Sequence, residues 1–219
     1  MTPQMGLFLF AILFVATHFL LSHPLRGPLV RSIGERAFQG LYSIVALITF
    51  GLMVYFYDKC GREPPALWVS GDAAWIAGTA GMWLAAILFV GSFLGNPALL
   101  GSTGPRDGPK GVLAITRHPM MWSFAIWAGV HLMILGTAKA LVFDSAIIIL
   151  ALAGAAAQDR KKAGQLGEDW HEWTAQTAFV PFTKGLAYPG TIAFVGGTLL
   201  FLVATRMHPI PAGIWRWVG

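Results

Sequence analysis

Six stretches of this chain are apolar on every side instead of at helical or alternating intervals. They cover roughly residues 5–21, 37–57, 73–95, 119–136, 140–157 and 186–205. A helix that is hydrophobic all round is buried in a core or in lipid, and about 20 such residues cross a hydrocarbon layer. The fourth and fifth stretches are short and joined by "TAK", which predicts a tight antiparallel hairpin. Between the third and fourth, "NPALLGSTGPRDGPKGVLAI" is rich in Gly and Pro and reads as a loop. After the fifth, "QDRKKAGQLGEDWHEWTAQTAFVPF" mixes charges with Trp170, Trp173 and Phe179. That mixture predicts an interfacial amphipathic helix over about 158–181, ending near Pro181. The expected fold is an all-α, polytopic membrane helix bundle, a single domain over 1–219. It has about six transmembrane helices plus the amphipathic segment. The first stretch, "MGLFLFAILFVATHFLL", has no basic residue before it and no small-residue cleavage site after it, so a retained span is expected.

Composition supports the same class. Of 219 residues, 56% are hydrophobic and 11% charged, against about 25% charged in soluble domains. The net charge of +5 points to nucleic acid only if the basic residues share one surface, and here they fall in the loops between spans. With six spans, one side holds Arg26, Arg31, Arg36, Arg106, Lys110, Arg117, Arg160, Lys161, Lys162 and Lys184; the other holds Lys59, Arg62, Lys139, Arg206 and Arg216. The positive-inside rule makes the richer side cytoplasmic and sets both termini outside; a bacterial inner membrane is the expected location. Cys60 is the only cysteine, which excludes a disulfide framework and a thiolate metal cluster.

Small residues recur at helix-packing spacing, Gly91 with Gly95 and Ala125 with Gly129. Such pairs let two backbones approach closely, and packing inside one bundle is the simpler use of them. The histidines carry the candidate chemistry. His118 directly precedes Pro119, and proline favours the first position of a helix. His131 lies 13 residues further along, about 20 Å up the axis and rotated roughly 220°. The two therefore serve different sites. His18 sits at a depth in the first span close to that of His118, and two imidazoles on different helices can hold a haem iron between them. His131 is paired by depth with Asp144, since an ionisable group in a span needs a partner. The simpler alternative for His18 is a local bond to a carbonyl, Thr17 or Ser22. His23 reads as a wet turn residue, His171 as part of the amphipathic helix and His208 as part of the outer tail.

"GERAFQGLYSIVALI", "GVLAITRHPMMWSFAIWAGVHLM" and "LGEDWHEWTAQTAFVPF" together resemble the NnrU family of integral membrane proteins, from about Gly6 to Phe182. The zeta-carotene isomerase group carries an NnrU-type domain and binds haem b through membrane histidines. The resemblance thus implies a haem site at His18 and His118, with Arg117 beside it, and an apolar lipid or polyene substrate. The family label also carries a context of nitrogen-oxide metabolism in denitrification. A more distant similarity is to isoprenylcysteine carboxyl methyltransferases, which share an RHP-type motif and bind S-adenosylmethionine. In that group paired acids follow the penultimate span, whereas this chain has Gln158 and Asp159. Arg117, His118, Asp159 and Trp173 are the residues left to frame such a pocket. Three function classes follow: a haem-dependent isomerase-like protein, a methyltransferase on a membrane-borne acceptor, and a non-catalytic assembly protein.

Overall fold

A computed structural model describes residues 1–61, 66–98, 104–105 and 108–218; Arg62 and Arg106 of the charge count lie outside these. The described residues form helices α1 (Pro3–Ser22), α2 (Arg26–Ile33), α3 (Glu35–Lys59), α4 (Asp72–Gly91), α5 (Val112–Ile115), α6 (Pro119–Leu135), α7 (Ala138–Leu166), α8 (Glu168–Gln176), α9 (Thr191–Arg206) and α10 (Trp215–Val218). Local chemistry sets several starts. The Thr2 hydroxyl accepts from the Met5 N–H at 3.3 Å with Pro3 behind it, an N-cap followed by a proline in the first turn. Four helices, α1, α3, α4 and α7, are long and apolar enough to cross a membrane; α6 and α9 are shorter apolar helices.

The expected amphipathic helix over 158–181 is corrected. The fifth span does not stop at Ala157, because the residues that follow, Gln158 to Leu166, are mostly good helix formers and continue α7 without a break. At 29 residues, α7 is about 44 Å long, against a hydrocarbon core of about 30 Å. Its charged last turns therefore extend beyond the apolar run that ends at Ala157. Gly167 then takes φ +56° and breaks the chain into α8, a conformation costly for other residues. Glu168 and Asp169 begin α8, where acidic side chains suit the positive helix end. Residues 177–183 leave the helix altogether.

The chain divides into two compact units, one of residues 1–69 and 135–150, the other of 70–134 and 151–219. In the first, α1 and α3 run antiparallel. An added Cβ on Gly6 would lie 2.4 Å from the Phe56 ring, Phe14 meets Phe50 at 5.4 Å, and His18 meets Tyr42 at 5.4 Å. Leu7, Ala11, Phe14, Met53 and Ala146 form its core. In the second unit α4 and α9 pack antiparallel, so closely that a Cβ on Gly197 would come within 2.4 Å of the Ile87 Cα. The flagged glycine pair acts differently from a helical GxxxG seam. Gly91 closes α4 against Val112 and Ala193, while Gly95 lies past the helix with φ +66°.

The outer surfaces of both units are apolar. Ile44 and Leu47 on α3, and Leu199 and Val203 on α9, are each more than half exposed. Apolar surface on this scale is what a lipid environment covers. The molecule is an all-helical membrane protein.

Candidate functional site

The segment of residues 116–118 between α5 and α6 is rich in polar contacts, and it lies wholly in the second unit. Its geometry begins with α8. Trp170 and Trp173, three residues apart on one face, are both buried and pack with Ala98 and Leu113. This anchors α8, which ends where the Thr177 N–H and hydroxyl both donate to the Trp173 carbonyl, at 3.0 and 2.6 Å. The chain then passes alongside residues 116–118. The Arg117 N–H donates to the Ala178 carbonyl at 2.9 Å, and the Thr116 hydroxyl to the Phe179 carbonyl at 2.7 Å. The Phe182 N–H donates to the Ile115 carbonyl at 3.1 Å.

Asp159 closes the arrangement from α7. Arg117 Nε and Nη2 donate to its Oδ2 at 2.8 and 2.6 Å, and His118 Nε2 donates to Oδ1 at 2.7 Å. Nη1 of Arg117 reaches the Thr177 carbonyl at 3.1 Å. The Phe179 ring stands edge-on to His118 at 5.5 Å and lies 5.3 Å from the Arg117 guanidinium carbon. One carboxylate thus serves two donor side chains, while an aromatic ring screens both. The His118 side chain has no exposure, and Arg117 and Asp159 keep 13% and 18%. Burial alone would raise the Asp159 carboxyl. The hydrogen bonds and charges of His118 and Arg117 outweigh that and hold it below its ordinary value.

His118 Nδ1 is buried and has no hydrogen-bond partner among the described residues. His18, in the first unit, is half-buried on α1 and donates from Nδ1 to the Phe14 carbonyl at 2.6 Å, the local carbonyl bond weighed from the sequence. Thr17 donates to Leu13 instead, and Ser22 to the His18 carbonyl. His131 donates from Nδ1 to the Trp127 carbonyl at 2.9 Å. Asp144 is buried in the first unit and His131 belongs to the second, so the expected pair joins residues of separate units. His23 and His171 are exposed.

Of the flagged residues, the structure brings together Arg117, His118 and Asp159. Sequence reasoning did not foresee Asp159 as their shared acceptor, nor the backbone of residues 177–179 as their second anchor. The available signal was a lone acid in "QDRKK" on the same predicted side as the RHP motif.

These features define an integral membrane protein with an Arg–His–Asp cluster at the start of α6. The chain belongs to the NnrU family, whose description, NnrU protein, matches residues 6–216. It is similar to the 15-cis-zeta-carotene isomerase, chloroplastic, of Arabidopsis thaliana, 28% identical over 196 residues, which cover 83% of this chain and 50% of the relative. The protein of the same name from Zea mays is 26% identical over 192 residues, covering 82% and 50%. This chain therefore spans about half the length of these relatives. No solved structure matches it.

Proposed function

We propose that this chain is a membrane isomerase of a polyene lipid, and that His18 and His118 are ligands to haem b. The observation that carries the reading is the similarity to two zeta-carotene isomerases across more than four-fifths of the chain. The apolar exterior suits a substrate delivered from lipid. Six crossings, with α6 and α9 completing the four longer helices, and both termini outside the cytoplasm belong to the same reading.

The donor chemistry suits haem at both positions. His18 spends Nδ1–H on the Phe14 carbonyl, which leaves Nε2 as the ligating nitrogen and fixes the ring as metal-bound imidazoles are fixed. His118 spends Nε2 on Asp159, a carboxylate–histidine pairing that leaves the buried Nδ1 as donor. When bound, haem b supplies a redox-active iron. The chain's own part is to orient each imidazole, exclude water and hold the Asp159 charge against Arg117.

The test is an optical spectrum of protein purified in mild detergent from haem-replete cells, before and after reduction. A Soret band with sharp α and β bands at about one haem per chain is expected, altered by His18→Ala and by His118→Ala. Conversion of a cis-polyene by the same preparation then tests the activity, and nitric oxide binding tests the family's other context. A featureless spectrum from folded, haem-replete protein overturns the haem assignment.

A second reading is favoured by one observation, the complete burial of His118 and its bond to Asp159. In it the cluster fastens residues 177–179 to α6 and α7 without catalysis. It predicts that His118→Ala lowers stability and leaves the spectrum of the protein unchanged.

A further inference from the structure

The proposed function leaves the polar junction between α1 and α3 unused. α1 ends at Ser22, α3 begins at Glu35, and the eight residues of α2 lie between them. Both flanking helices are long and apolar enough to cross a membrane and run antiparallel, so α2 joins them where the hydrocarbon ends. All of this segment belongs to the first unit. We propose that α2, with the first turn of α3, is a binding surface for the anionic headgroups of phospholipids in the adjoining leaflet. Arg31 and Arg36 are its cationic contacts.

Of the three arginines here, the fold uses one. Arg26 donates from Nη2 to Glu35 Oε1 at 2.7 Å, and its guanidinium carbon lies 5.6 Å from the centre of the Phe38 ring. Gln39 donates to the same Glu35 oxygen at 3.1 Å. Arg31 and Arg36 are exposed, and neither has a hydrogen bond or ion pair among the described residues. Arg31 reaches back along its own helix, with Nη1 3.5 Å from the place a Cβ on Gly27 would take. Three arginines against one glutamate give residues 23–37 a net charge of +2 with His23 neutral. The chain supplies no further acid in this segment to balance it.

The apolar positions agree. Leu25, Leu29 and Ile33 recur at every fourth residue, which sets them within about 80° of one another around the helix, and Arg31 is turned roughly 120–160° from all three. No residue of α2 is buried, and Leu25 and Ile33 keep 42% and 45% of their surface exposed. Eight residues make a helix of about 12 Å, far too short to cross the hydrocarbon. A helix of this pattern lies in the interface, its apolar stripe in the acyl boundary and its cations at headgroup level. There the planar guanidinium fork matches a pair of phosphate oxygens. A net negative headgroup supplies the charge that the chain omits, which a zwitterionic one does not.

The test titrates the full chain in mild detergent with phosphatidylglycerol, or with phosphatidylcholine of the same acyl chains, and counts bound lipid by native mass spectrometry. Tighter binding of phosphatidylglycerol is expected, by about fivefold for each arginine. Arg31→Gln with Arg36→Gln removes that preference. It leaves phosphatidylcholine binding and the thermal midpoint unchanged, because neither arginine has a partner in the fold. Lys59→Gln with Arg216→Gln lowers the net charge equally, at the opposite end of α3 and in α10, and keeps the preference. Equal affinity of the wild-type chain for the two lipids overturns the proposal. So does a preference that survives Arg31→Gln with Arg36→Gln, or one lost equally in the Lys59 and Arg216 variant. Displacement of the lipid by inorganic phosphate at constant ionic strength overturns the lipid assignment in favour of free phosphate. No outcome bears on haem, which is read from the optical spectrum.

Discussion

At one end of α6, His118 is fully buried and shares Asp159 with Arg117. Thirteen residues on, His131 bonds only to the carbonyl one turn back on its own helix and stands beside an exposed His208. The two ends differ in how far the chain must reach to satisfy them. Asp159 is 41 residues from His118, and Thr177 is 60 from Arg117, so the first cluster exists only once α7 and the segment after α8 are in place. The second is mostly local. A network drawn from several segments fails as a whole when one member is lost, whereas a side chain that bonds to its own helix can be removed with little consequence.

The largest test of that contrast is Asp159→Ala. It leaves the Arg117 guanidinium buried without its counter-charge, a loss of about 3–5 kcal/mol, visible as a lower thermal midpoint in detergent. Thr116→Val comes next. It deprives the Phe179 carbonyl of its donor and costs about 1–3 kcal/mol by the same measurement.

Acid titration sharpens the comparison further. The Asp159 carboxyl is held below its ordinary value near 3.8. The stability it contributes is therefore present above that value and is lost as pH falls through the lower, folded one. Wild-type protein should lose stability over that acid range, and Asp159→Ala should lack this part of the slope. At the bottom of the scale, His208→Ala should change stability by no more than about 0.5 kcal/mol. A drop near that of Asp159→Ala would show the two ends to be equally integral to the fold.

Much of this was legible in the sequence. The unbroken apolar stretches located the six apolar helices to within a few residues at most ends, because a helix in lipid needs little beyond length and hydrophobicity. Two ends departed further: the sixth stretch was expected from residue 186, but α9 begins at Thr191, and the third was expected to run to Gly95, but α4 stops at Gly91, beyond which Gly95 takes a left-handed turn. The boundary at Ala157 was misplaced for a related reason. Polarity changes there, but helix propensity does not, and the backbone follows propensity until Gly167. Pro119 opens α6 as expected.

Thus the amino-acid sequence by itself determined the class of protein and the apolar helices. These depend on short-range pattern, which a linear chain records in full. Tertiary structure alone decided that Asp159 serves both Arg117 and His118, that residues 177–179 anchor them, and that His131 lies beside His208. Those pairings depend on how separate helices pack, through contacts as close as that of Gly197 with Ile87. Distance along the chain carries no trace of them.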